Sequence, residues 1–515
     1  MQPVPGRQVG DPSSSHDPDR AAITPPSLPE GAQASAQVAD GMSESQVASP
    51  SVPLAEPRAT REPALPSGRF SGGLRAVLVR SGVATRLVAL DGARAIAVLF
   101  VIVYHSWLNR CGTYRHACAP EDTGEPLSVS AVGLLIGHGD LGVDIFFVLS
   151  GYLIFLVLYR KLGPSLRSAA PAIGRFIARR FLRIYPALAV MVPLCTLFFW
   201  FVPGLDGGAR ALIDGCAVNG LTTYALINNI PQVAGALLDL PGSSLACAPW
   251  TWSVSVEWQL YLLTPLIVWA YVRVRDRRAR AGRPVHWWTG GEAAIGLLTV
   301  AVLFQVVATL QLGLASPGLE PEVFDTYMVW LYGNPLARCT PYLLGMAAAA
   351  YTVHRDDAHA LPPSTRLEDL AARPLTLRLA LGVFVFLCVF GVLPFYPWFG
   401  FNLVISGMGR TLFGAAVVIV LVAATRPGPP TGATVRMLRH ALWHPIATLS
   451  YSAYLWQFAG IEAARAIFGD AGIIPYESFA AWLGFAALGT LLTFAFALPS
   501  YLLVERPGMS LRPAA

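Results

Sequence analysis

Charge is what this chain has least of. Only 13% of its 515 residues are Asp, Glu, Lys or Arg, while 54% are hydrophobic; soluble domains usually carry about 25% charged residues. With a mean hydropathy of +0.52, the composition excludes an ordinary soluble domain and predicts a polytopic membrane protein. The formal net charge of +6 therefore marks cytoplasmic loops rather than affinity for nucleic acid. Cysteine is scarce too, at seven residues, which excludes a disulfide-built scaffold. His116 beside Cys111 and Cys118 matches no common zinc spacing, so no metal is expected. No apolar run precedes residue 87, and none is read as a signal peptide. Nor is there an inverted repeat of the kind many transporters use.

What is there falls into two unlike parts. Residues 1–84 are rich in Pro, Ser, Ala and Gly and poor in aromatics, so they are read as a disordered cytoplasmic tail. From 85 to 508 the chain is a membrane domain, followed by a short tail at 509–515. Ten apolar spans are expected, near 88–108, 141–159, 184–203, 252–272, 291–313, 336–353, 376–395, 404–425, 446–468 and 479–503, each long enough to cross ~30 Å of hydrocarbon. Residues 209–240 are broken by Asp214, Asn219, Asn228, Asn229 and Pro231, and are read as an extracytoplasmic loop with a surface-lying helix. With the N-terminus inside, the loops assigned to the cytoplasm hold twenty basic residues against about four on the other side. This bias places both termini in the cytoplasm. Cys111, Cys118, Cys216 and Cys247 fall in outer loops, where two disulfides are expected in an oxidising compartment.

Five patches depart from what a purely structural span needs. The first span carries Asp91, Arg94 and His105. Arg94 and His105 are eleven positions apart, which puts them on one helical face roughly 16 Å from each other along the axis. Ionisable groups at that depth belong beside a cavity, and an imidazole can accept a hydroxyl proton at neutral pH. GDLGVDIFFVLSGYLI (139–154) carries Asp144 and Ser150, with Gly142 and Gly151 suited to close helix packing. GRFIARRFLRIYP (174–186) holds four arginines in nine residues, more than membrane anchoring needs, and their planar forks suit phosphates. PWTWSVSVEWQLYLLTPL (249–266) puts Glu257 early in an apolar helix among tryptophans. The C-terminal half adds Arg338, Gly345, LSYSAYLWQF (449–458) and SYLLVERP (500–507).

Together, LDGARAIAVLFVIVYH, GVDIFFVLSGYLI, RRFLRIYP, WSVSVEWQLYLL, LSYSAYLW and LVERP resemble, in order and spacing, the integral-membrane acyltransferase-three family. The resemblance implies an all-α, ten-helix domain in a bacterial cytoplasmic (inner) membrane. Its activity would be transfer of an acyl group, usually acetyl, from acetyl-CoA on the cytoplasmic side to a sugar hydroxyl. The acceptor would be a cell-surface glycan such as exopolysaccharide or lipopolysaccharide, or a lipid-linked oligosaccharide. By position it makes His105, Arg94 and Glu257 catalytic. Arg179, Arg180, Arg183 and Tyr185 would bind coenzyme A; Asp144, Ser150, Tyr152, Trp252 and Ser253 would line the substrate site. The family often has histidine where this chain has Gln457, a change read as a tolerated repositioning because an amide both donates and accepts. The periplasmic esterase-like domain of some members is not expected. His105 is expected either to deprotonate the acceptor or to take the acyl group itself, with Glu257 orienting the imidazole or the sugar. A transporter or flippase for a glycan or acyl substrate is the competing class, and would need no arginine cluster at one face.

Overall fold

The computed structural model describes residues 69–79, 88–108, 136–163, 165–201, 207–231, 233, 247–315, 328–357, 370–390, 399–426, 432–470 and 479–512. All lie in the unit Ala59–Ala515; residues 1–58, and the Cys111–Cys118 pair, fall outside the described residues. The helices are α1 (Arg69–Leu78), α2 (Val88–Leu108), α3 (Gly142–Tyr159), α4 (Leu166–Phe201), α5 (Gly207–Tyr224), α6 (Trp252–Arg280), α7 (Glu292–Ala315), α8 (Pro335–Asp357), α9 (Pro374–Phe390), α10 (Phe399–Ala424), α11 (Gly432–Leu438), α12 (Trp443–Asp470), α13 (Phe479–Ser500) and α14 (Arg506–Ser510). The described residues contain no strand.

Ten of these helices, α2, α3, α4, α6 to α10, α12 and α13, coincide with the ten expected spans. Five stretches are long and apolar enough to cross a bilayer on those criteria alone, among them Val88–Leu108 and Leu166–Phe201. Their outer faces carry large exposed apolar side chains, such as Leu303, Leu310 and Leu491, a pattern that needs a lipid neighbour. The protein is an all-α polytopic membrane protein.

Helix contacts follow from small residues. α3 packs along α8 at a reciprocal pair of glycines. A Cβ on Gly151 would lie 2.0 Å from the Tyr342 carbonyl oxygen, and one on Gly345 would lie 2.1 Å from that of Val148. Only glycine lets the two backbones meet. α12 packs on α13 and α2, which brings LSYSAYLWQF against the Arg94 helix. α4 is 36 residues long and holds Pro171, Pro186 and Pro193. Pro186 lacks the amide hydrogen that the Leu182 carbonyl would otherwise accept.

Two expectations at the chain ends need correction. Arg69–Leu78, assigned to the disordered tail, is helical. Its apolar side buries Val77 with Leu449, Tyr501 and Leu502, and that burial offsets the ordering entropy the composition argument had counted as prohibitive. At the other end, the Tyr501–Glu505 π-turn leads into α14, so order continues past residue 508. Within the stretch expected to hold a surface-lying helix, Gly207–Tyr224 is helical as α5, with Val218 and Leu221 exposed. It is tied down by a disulfide between Cys216 and Cys247.

Candidate active site

Six of the residues singled out from sequence line one cavity of about 90 Å³: Arg94, Ser150, Arg180, Arg183, Ser253 and Glu257. Four helices deliver them. α2 presents Arg94, α3 presents Ser150, and α4 presents Arg180 and Arg183, three residues apart and so on one face. α6 presents Ser253 and Glu257, again one turn apart. Tyr261, one further turn along α6, and Tyr451 and Tyr454 of α12 complete the lining. The Glu257 carboxylate accepts hydrogen bonds from the hydroxyls of Ser150 and Tyr261. Ser253 hydrogen-bonds Tyr454 at 2.6 Å, and the Tyr454 hydroxyl donates to the Trp250 carbonyl at 2.5 Å. Arg180 lies over the rings of Phe176 and Tyr261 at 5.5 Å.

A second cavity, of about 210 Å³, adjoins the first and shares Arg180 and Arg183 with it. Lys161, Arg175, Arg179 and Arg512 complete its charged lining, with no carboxylate among the lining residues. Burial, followed by the repulsion of Arg179 and Arg175, lowers the Lys161 ammonium from its usual range. The Arg512 guanidinium is pushed down to about 10, first by burial and then by Arg183 and Arg180. Among the described residues, no carboxylate forms an ion pair with Arg94, Arg180, Arg183 or Arg512. Glu257 is the one carboxylate in the two linings, against Lys161 and six arginines; such an excess of positive charge is unfavourable on its own, and the arrangement is that of an anion site.

His105 does not line either cavity. Its Nδ1 lies 3.0 Å from the Val101 carbonyl and 3.0 Å from the Gln457 side-chain oxygen, and its ring packs between Tyr104 and Phe458. Glu257 and His105 are thus held by different partners, and the expected carboxylate–imidazole contact is absent. Gln457 follows Tyr454 by three residues, so the imidazole is held about one helical turn beyond the cavity wall. Phe458, which touches it, stacks on Trp250 at 4.4 Å.

The remaining expected residues lie elsewhere. Asp144 belongs to a buried ion cluster in which Arg410 bonds both Asp144, at 2.7 Å, and Asp140, while Arg338 stands 3.3 Å from Asp144. Trp252 faces Tyr332 and lies under the Arg338 guanidinium at 5.0 Å. Tyr152 is buried, with its hydroxyl 3.3 Å from that of Thr352. Tyr185 stacks on Phe181 at 4.5 Å, outside both linings. Tyr261 could have been found from its position one turn after Glu257. Arg512 had no motif to announce it.

Residues 87–502 match a family model described as an acyltransferase domain. The chain belongs to this acyltransferase-three family and is a membrane acyltransferase. It is 26% identical to a putative membrane-bound transacylase, BcsY, of Komagataeibacter xylinus, over 82% of each chain. A putative peptidoglycan O-acetyltransferase of Bacillus subtilis, YrhL, is 26% identical over 72% of this chain and 48% of the relative. The peptidoglycan O-acetyltransferase OatA of Listeria monocytogenes is 26% identical over 36% of this chain and 24% of its own length. The chain thus spans most of the transacylase but half or less of the two O-acetyltransferases. No solved structure matches it.

Proposed function

We propose that this chain transfers an acetyl group from acetyl-CoA, on the cytoplasmic side, to a hydroxyl of a cell-surface or lipid-linked glycan. The observation that carries the reading is the pair of adjoining cavities, lined by guanidiniums without ion-paired carboxylates and sharing Arg180 and Arg183. The outer cavity fits the phosphates of coenzyme A, with Arg179, Arg180 and Arg183 as ligands. The inner one fits the pantetheine arm and the acyl carbonyl, whose oxygen Arg94 would polarise. The relatives named as a transacylase and as peptidoglycan O-acetyltransferases support an acyl donor and a glycan acceptor. The basic loops support a bacterial inner-membrane placement with both termini in the cytoplasm.

Both neighbours of His105 Nδ1 are hydrogen-bond acceptors, so Nδ1 carries the hydrogen and Nε2 keeps its lone pair. That lone pair can take the proton of an acceptor hydroxyl approaching from the extracytoplasmic side. The acceptor oxygen then bonds to the acyl carbon, the carbon–sulfur bond breaks, and the thiolate leaves with the proton. Contacts run from the imidazole through Phe458 and Trp250 to Tyr454 of the inner cavity lining, so the acyl carbon and the imidazole have to come together before transfer. Tyr261 and Ser150 hold the Glu257 carboxylate, which leaves Glu257 to position the donor arm or the sugar.

The test is proton NMR of surface glycans from cells carrying the wild type, His105→Ala or no gene, with protein abundance matched by blotting. Loss of O-acetyl signals in both the variant and the deletion is expected. Full O-acetylation in His105→Ala cells would remove the imidazole from the mechanism. Binding of coenzyme A to the purified protein separates this reading from a transporter.

A further inference from the structure

We propose that Arg512, which lies beyond the part of the chain matched by the family model, is a phosphate ligand of the donor and completes the outer cavity. The proposal rests on the coenzyme A reading of that cavity, and it assigns a role to a residue that no motif marks.

The segment reaches the cavity by a specific route. After the π-turn at Tyr501–Glu505 the chain forms α14, whose Gly508 seats against Pro186 of α4. A Cβ there would lie 3.0 Å from the Pro186 ring and 3.1 Å from the Leu182 carbonyl oxygen, the acceptor that Pro186 leaves without its helical donor. Docking at this point brings the next turn alongside Arg179, Arg180 and Arg183. The Nε and Nη2 atoms of Arg512 are buried and have no hydrogen-bond partner among the described residues. Its charged neighbours are Arg183, Arg180 and Arg179, with Glu505 the one attractive group among them. Glu505 is itself engaged, accepting from the Ser452 hydroxyl at 2.7 Å.

A guanidinium with two N–H groups withdrawn from water and facing three of its own kind is unfavourable on its own. A ligand bearing several negative charges reverses that balance, and a planar fork meets phosphate oxygens two at a time. A phosphate monoester joined to a pyrophosphate supplies both the charge and the oxygens. A lipid headgroup phosphate shares this chemistry, and the test separates the two sources.

The full chain would be purified into nanodiscs of neutral lipid. Coenzyme A binding would be measured by titration calorimetry for wild type, Arg512→Gln and Arg512→Lys, with S-acetyl-pantetheine, which lacks the nucleotide, as a second probe. Arg512→Gln should weaken coenzyme A roughly tenfold or more, the cost of losing a charge-assisted hydrogen bond, and Arg512→Lys should regain part of the loss. Binding of S-acetyl-pantetheine should be the same in all three. Coenzyme A affinity of Arg512→Gln within twofold of wild type would overturn the proposal, and so would equal weakening of both probes, the mark of a general structural role. Nanodiscs containing phosphatidylglycerol that block coenzyme A on wild type, but not on Arg512→Gln, would reassign the residue to a lipid headgroup. Wild type that fails to bind coenzyme A at all would overturn the functional reading itself, a result distinct from the others.

Discussion

The amide oxygen of Gln457 on α12 lies 3.0 Å from Nδ1 of His105 on α2, and the Gln457 NH₂ group has no hydrogen-bond partner among the described residues. This side chain thus shares the Nδ1 hydrogen with the Val101 carbonyl, holds the ring in place from a second helix and keeps a donor in reserve beside it. Gln457→Leu preserves volume but removes both the acceptor and the donor. Acetyl transfer should fall by at least ~10²-fold, the lower range for losing a general base, while the protein still assembles. Gln457→His should retain more activity than Gln457→Leu, because an imidazole can also accept from Nδ1–H. Measuring acetyl transfer to the glycan by the two variants at matched abundance checks both statements.

The Asp140–Arg410–Asp144–Arg338 cluster should behave as scaffold rather than as machinery. Asp144 is fully buried between two arginines, and removing one partner of a buried pair costs about 3–5 kcal/mol. Asp144→Asn should therefore lower the amount of folded protein in the membrane and the unfolding temperature. Coenzyme A affinity of whatever folds should remain near wild type. A stable, abundant Asp144→Asn protein without activity would return this residue to the substrate site.

Gly151 and Gly345 hold α3 and α8 together where each backbone touches the other. Either residue replaced by alanine puts a methyl group inside a carbonyl's van der Waals radius. The helices must separate, at a cost of about 1–3 kcal/mol for overpacking. Since Ser150 is carried on the same turn, both alanine variants should lose activity along with stability, as thermal unfolding in detergent would show. Unchanged melting in both variants would mean the helices stand further apart than described.

The Cys216–Cys247 disulfide closes a separation of 31 residues. Its loss should destabilise the outer loop by about 3–4 kcal/mol on the chain-entropy model. In intact cells the two thiols should resist a membrane-impermeant maleimide until a reductant is added outside. Labelling of intact cells without reductant would overturn the disulfide, and labelling only after lysis would place this loop on the other face.

The fold was legible where the sequence pattern is monotonous. Ten apolar stretches and a one-sided arginine count need only the dielectric of a bilayer to become ten helices. The site was legible in part. Arg94, Ser150, Arg180, Arg183, Ser253 and Glu257 stood out as polar groups in apolar spans, and packing brought them to one cavity. Asp144 stood out by the same rule yet meets Arg338 and Arg410, because a sequence shows that a charge is buried but not which charge answers it. The separation of His105 from Glu257 was equally unreadable, since it depends on which partners packing gives each: Val101 and Gln457 for the imidazole, Ser150 and Tyr261 for the carboxylate. Arg512 was missed for the opposite reason: on a terminal segment an arginine is unremarkable until another helix, here at Pro186 of α4, gives that segment a seat.

The length of α4 has a consequence for how the donor arrives. Thirty-six residues span about 54 Å, whereas hydrocarbon is ~30 Å thick, so a good part of this rod must stand in water. Its basic portion, ahead of Pro186, is the end that protrudes. On the proposed reading, a polyanionic donor would be caught on this landing stage outside the oily layer, and only its slender uncharged arm would need to enter.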